Sequence, residues 1–189
     1  MRLLFGGFAV AFLTAIAAAQ SPSTGSAGAA PRVRPAPKPA GTLAQVMRSI
    51  YFPNANLIYD VQQIDPAAPK KAHESTGSST DTYSAAYSGW DIVENAAVAL
   101  TDSVDLILQP GRTCQNGKPV PLSQPDFQTF ARNMREAGLV VLRGARAKDR
   151  AKVIDATNNI ADACVSCHEV YRDKGPADSP ARCTPPPKK

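Results

Sequence analysis

Residues 149–173 read DRAKVIDATNNIADACVSCHEVYRD. Val153, Ile160, Cys164, His168 and Tyr171 recur at spacings of seven, four, four and three, which places them on one face of a helix. Gly175-Pro176 ends the run. Working back along the chain, residues 124–146 carry Phe127, Phe130, Ala131, Met134, Val141 and Leu142 in the same period, with Pro125 suited to a first turn. Residues 83–108 carry Trp90, Val93, Ala97, Leu100, Val104 and Ile107, and Pro110-Gly111 stops them. Residues 42–63 carry Leu43, Val46, Met47, Ile50, Leu57 and Val61, with Thr42 placed to cap the start. Pro53 falls inside this last pattern and predicts a helix that is kinked there, or broken and restarted near Asn54. No stretch alternates with period two. Four helices of about 20–25 residues joined by loops predict an all-α fold, an antiparallel four-helix bundle with helices about 20° apart.

The rest of the 189 residues frames that body. Residues 1–19, MRLLFGGFAVAFLTAIAAA, place one arginine before an apolar run and small residues at Ala17 and Ala19. This is the pattern of a secretory signal peptide cleaved before Gln20, which would leave no stable membrane span. Residues 20–41 are rich in Pro, Ala and Ser and read as a flexible linker. The four-helix domain then occupies 42–174, and residues 175–189 form an irregular tail. The formal charge of +5 falls to +4 once Arg2 leaves with the signal, and no dense Lys/Arg block invites nucleic acid. Export implies an oxidising compartment, the periplasm.

Within the fourth helix, Cys164-Val-Ser-Cys167-His168 is a C-x-x-C-H run, the attachment motif of c-type haem. Cysteines three apart share a helix face, so both thiols can reach the two vinyl groups on one porphyrin edge. His168, four residues after Cys164, stands over the same face and can reach the iron. The expected cofactor is therefore one covalently attached haem c. A zinc site would need four ligands, and Cys114, Cys183 and His73 are not paired in spacing to complete one. A redox-active dithiol would need a strand before it and a βαβ frame, which the pattern lacks.

The longer run Cys164-Val-Ser-Cys167-His168-Glu-Val-Tyr171-Arg172, near the end of four helices, resembles the class II c-type cytochromes, the cytochrome c-prime family. The resemblance spans residues 41–174, specific at the haem motif and a matter of pattern elsewhere. It implies thioethers at Cys164 and Cys167, His168 as proximal iron ligand, and Arg172 beside the haem near that histidine, placed to screen a propionate. Met47-Arg48 resembles the Met-Lys pair of six-coordinate members and implies Met47 as sixth ligand, although Leu43 stands where many members carry a basic residue. A neutral thioether favours reduced iron and suits an electron carrier. With Met47 only lining the pocket, the alternative is a five-coordinate protein that binds small gases such as NO or CO. Met134 reads as core filler and His73 as a solvated histidine. Trp90, and Tyr51 or Phe52, are candidates to pack on the macrocycle, with an ordinary core role as the alternative. The resemblance further implies a one-electron carrier rather than an enzyme, periplasmic redox proteins as partners, and the homodimer that many relatives form.

Cys114 lies in the loop between the second and third helices and Cys183 in the tail. In an up-down-up-down bundle these segments share an end, which allows a disulfide between them; the family's usual pattern has no such pair.

Overall fold

The computed structural model describes residues 37–69 and 89–185. The leader at 1–19, most of the linker, His73 with its polar loop, residues 83–88 of the expected second helix and the last four residues lie outside the described residues. Among the described residues the fold is all-α, with four helical rods and no strand beyond one isolated bridge between Thr113 and Pro119.

The first rod, α1 (residues 43–62), is assembled from Leu43–Val46 in α, Met47–Tyr51 in π, Phe52–Tyr59 in α and Asp60–Gln62 in 3-10 geometry, end to end. Thr42 starts it with a capping box: its hydroxyl accepts from the Gln45 amide at 3.3 Å while the Gln45 side chain accepts from the Thr42 amide at 2.8 Å. Of the two outcomes expected at Pro53, a kink or a break, the break does not occur: helical geometry runs on through the proline. A proline lacks the amide hydrogen and its ring crowds the carbonyl four residues back. Here the preceding turn widens to π, with the Phe52 amide reaching five residues back to the Met47 carbonyl, so the helix passes through the proline intact. Asn54 Nδ2 adds a donor to the Ile50 carbonyl at 2.7 Å. The extra residue rotates the apolar stripe by one position. Tyr51 and Ile58 are buried where the uninterrupted period placed Ile50 and Leu57, which are only partly covered.

The second rod, α2 (residues 90–107), joins Trp90–Asp102 to Val104–Ile107 through Ser103, whose hydroxyl donates to the Ala99 carbonyl. Gly89 precedes it at φ +66, where a Cβ would lie 2.9 Å from the Pro66 carbonyl oxygen. The third, α3 (Pro125–Arg146), begins with proline in its first turn, and the fourth, α4 (Arg150–Tyr171), is capped by Asp149, which accepts from the Lys152 amide at 3.1 Å.

The core lies where these rods meet. Leu100 and Val104 of α2, Phe127 and Val141 of α3, and Val153 and Ile160 of α4 are fully buried. Two glycines bring the rods close. A Cβ at Gly138 of α3 would collide with Thr101 Oγ1 of α2, and one at Gly144 would stand 2.9 Å from Val153 Cγ2 of α4. The end of α1 meets the start of α4 through polar contacts: Gln62 Nε2 donates to Thr157 Oγ1 at 2.9 Å, and Arg150 donates to the Val61 and Gln62 carbonyls at 3.0 and 3.1 Å.

The other end of the molecule is tied by its irregular segments. The buried Arg112 donates to the carbonyls of Leu106 (2.6 Å) and Gly41 (2.5 Å) and to Gln109 Oε1 (2.7 Å), closing the end of α2 against the approach to α1. The Leu43 amide donates to the Thr113 carbonyl at 2.8 Å. Cys114 and Cys183 form a disulfide across 69 residues, and the Cys183 amide donates to the carbonyl of Tyr171, the last residue of α4. Asn116 Nδ2 donates to the Ser179 and Arg182 carbonyls, and Lys118 Nζ to that of Pro180. The described part of the tail, residues 175–185, belongs to no helix and is stitched to the loop before α3.

Two outcomes follow for stability. Gly138→Ala should cost about 1–2 kcal/mol, overpacking outweighing the gain in helix propensity. The loss should vanish in a Thr101→Ala background, as urea unfolding of the four members of the cycle would show. Replacing both Cys114 and Cys183 with serine should cost about 4 kcal/mol by the loop-closure relation, read as a lower unfolding midpoint that a thiol reductant no longer shifts.

Candidate cofactor site

Down α4 the inward face changes character. Val153 is packed solid and Ile160, fully buried, forms the floor of a cavity; Cys164, Cys167 and His168 are only half-buried, because they face that cavity instead of another helix. The cavity holds about 570 Å³, within the range of cofactor-sized sites. From α4 come Cys164, Cys167, His168, Tyr171 and Arg172; from α1, Leu43, Met47, Tyr51, Phe52 and Tyr59; from α3, Phe127, Phe130, Ala131 and Met134. Gln115, Ala177, Arg182 and the Cys114–Cys183 disulfide close the remaining side.

The helical period puts the two thiols and the imidazole on this one wall, as the sequence spacing required. Both thiols are free, and burial raises the pKa of each; Cys167 is pushed up to about 12. They therefore remain neutral S–H groups at physiological pH. Burial, and then the neighbouring Arg172 guanidinium, lower the pKa of His168, so its imidazole is neutral and offers a lone pair. The backbone fixes this turn: the Arg172 and Asp173 amides both donate to the His168 carbonyl at 2.8 Å.

Aromatic side chains stiffen the neighbouring wall. Tyr171 meets Phe127 edge-on with ring centres 5.2 Å apart, and Phe130 at 6.4 Å, while its hydroxyl donates to Asp126 Oδ1 at 2.6 Å. Opposite, Tyr51 is buried and its hydroxyl donates to the Leu100 carbonyl at 3.3 Å. The charges on the rim share one sign. Arg48, Arg172 and Arg182 line the cavity, and among the described residues no Asp or Glu does. Arg172 is chelated by Asp173 at 2.7 and 3.3 Å; Arg48 donates to Gln115 Oε1 at 2.5 Å, and Arg182 to the Gly175 carbonyl at 3.0 and 2.6 Å.

The cavity thus gathers Cys164, Cys167, His168, Met47 and Arg172. It does not gather Trp90, which opens α2 and packs half-buried against the core away from the cavity lining. The aromatic candidates that do face the cavity are Tyr51 and Phe52. Met134, read as core filler, is buried and also touches the cavity. Arg182 and Gln115 were not picked out from the sequence: their place depends on a disulfide that joins segments 69 residues apart. No known family model, curated protein or solved structure matches the chain.

Tyr51 gives the site a signature in alkali. Burial raises its pKa above the ordinary 10, so below pH 10 both folded and unfolded chains keep the proton and its contribution is complete. Above pH 10 the unfolded chain loses the proton first and stability declines. Tyr51→Phe should lessen that decline, with Tyr59, Tyr171 and the two buried thiols keeping their share, in chemical unfolding measured between pH 9 and 11.

Proposed function

We propose that this chain is an exported c-type cytochrome: an antiparallel four-helix bundle that holds one covalently attached haem in this cavity and passes single electrons. The observation that carries the reading is that Cys164, Cys167 and His168 share one wall of an apolar, cofactor-sized cavity whose charged rim residues are arginines. A porphyrin supplies four of its metal's ligands, so it asks of the chain only one or two more. Neutral His168 is the proximal ligand, and the two neutral thiols are the attachment points, each S–H adding across a vinyl double bond with no atom lost. The bound haem supplies a one-electron iron couple; the chain supplies ligands, a low-dielectric enclosure and an exposed edge.

Met47 is the sixth ligand in this reading. It stands half-buried at the start of the π turn, in the α1 wall of the cavity, whereas Met134 is packed into the core. The disulfide supports an oxidising compartment, the periplasm, where the partners would be small redox proteins. The chain acts as a carrier and carries out no transformation of a substrate.

Full-length chain made in a host able to attach haem should keep its haem through denaturing electrophoresis, and lose it when Cys164 and Cys167 are both replaced by serine. Met47→Ala should abolish the ferric thioether charge-transfer band, open the ferrous iron to carbon monoxide, and lower the reduction potential by roughly 100 mV. Met134→Ala should do none of these. A wild-type protein that binds carbon monoxide at once would instead establish the five-coordinate, gas-binding form.

A further inference from the structure

The cavity is closed on one side by a segment that belongs to no helix. Residues 175–184 leave α4, turn back over its last residues, and place Ala177, Arg182 and Cys183 on the cavity lining. The segment is held at its backbone: Asn116 Nδ2 donates to the Ser179 and Arg182 carbonyls, Lys118 Nζ to the Pro180 carbonyl, and the Cys183 amide to Tyr171. The covalent tie is the disulfide, one residue after Arg182.

The three rim arginines differ in what already occupies them. Arg172 is chelated by the carboxylate of Asp173, so its charge is largely answered. Arg48 is exposed, where water and salt screen it. Arg182 is half-buried, and its Nε and Nη2 donate to one neutral carbonyl, that of Gly175. Among the described residues its Nη1 makes no hydrogen bond and no carboxylate lies in salt-bridge range; Asp173, whose carboxyl Arg182 helps to keep ionised, is held by Arg172. A partly desolvated guanidinium with an unused donor, at the edge of an apolar slot, selects a carboxylate.

We infer that Arg182 is the residue that binds the anionic end of the cofactor, a haem propionate, and that the Cys114–Cys183 disulfide holds it in place. This rests on the haem reading above and adds a contact from outside the four helices. Arg182 would both orient the porphyrin and, as a cation on the lining of the same cavity, favour the ferrous state.

The test uses the full-length haem-loaded chain. Covalent haem is confirmed first by staining after denaturing electrophoresis, and the potential is then measured for wild type, Arg182→Gln, Arg182→Lys, the Cys114→Ser/Cys183→Ser pair, and that pair combined with Arg182→Gln. Arg182→Gln should shift the equilibrium about tenfold toward ferric, a fall of about 59 mV for one electron, with the iron's ligand-field spectrum unchanged. Arg182→Lys should recover most of the shift. The serine pair should fall by a similar amount, and adding Arg182→Gln to it should change the potential no further. An unshifted Arg182→Gln overturns the role of Arg182. Equal shifts with and without the disulfide overturn the role of the disulfide. A chain that stains for no haem defeats the haem reading, and this inference with it.

Discussion

Everything about the candidate site depends on α1 and α4 meeting at one end and standing apart at the other. They are joined where α1 finishes and α4 begins, by Gln62 on Thr157 and by Arg150 on the last carbonyls of α1. At the far end, where α1 starts and α4 finishes, no side chain of the described residues fills the gap between Met47 and the Cys164–His168 turn, and that gap is the cavity. The glycines at 138 and 144 hold α3 tightly to α2 and α4. The looser space is thereby confined to one side of α4, the side bearing the thiols and the imidazole.

A void of this size among apolar side chains is unfavourable unless something enters it, because the lining atoms lack dispersion partners. The chain does not spread that cost evenly. Tyr171 is clamped by two phenylalanines and by Asp126, and Tyr51 is buried and bonded to Leu100, so the walls are stiff where the core supports them. The mouth is closed instead by Gln115 and the tail, both outside the helical core. The neutrality of His168, Cys164 and Cys167 comes first from burial and needs no dedicated partner. One wall therefore presents an uncharged nitrogen donor and two protonated thiols together, and a neutral imidazole is the form that can ligate a metal.

Much of this was legible in the residue order. The stripes on the second, third and fourth helices matched the buried positions from Val93 through Ile160 except at Phe130, which is partly covered, because those helices hold the 3.6-residue period closely, the interruption at Ser103 included. The C-x-x-C-H spacing located the chemical wall by the same geometry. The first helix misled by one position. Proline at 53 was visible, but a proline can be met by a break, a kink or a widened turn, and only packing decides among them. The widened turn that formed carried Tyr51 and Ile58 inward. Trp90 drew attention as the only tryptophan, yet its position at the first turn of α2 leaves it on the core's edge. Arg112 and Arg182 were illegible for a different reason: Arg112 acts through the carbonyl of Gly41, far back in the chain, and Arg182 reaches the cavity through a segment tied by a disulfide to a distant loop, and no local pattern encodes such partners.

The π turn and the disulfide knot bear on the same question from opposite sides of the cavity. Met47 opens the π turn, and its carbonyl bonds the amide five residues on, so the residue offered to the cavity sits where the helix departs from regular geometry. π turns are frequently found at functional sites. Four residues earlier, the Leu43 amide is bound to Thr113, whose neighbour Cys114 is bonded through sulfur to Cys183, whose amide is bound in turn to Tyr171, three residues past His168. One short path of backbone bonds and a single covalent link therefore runs from the helix that presents the methionine to the helix that presents the histidine. A path that short resists changes in the separation of the two helices at the cavity. On the reading proposed above, such resistance would keep the ligands from rearranging between oxidation states and leave less reorganisation to oppose the electron's passage.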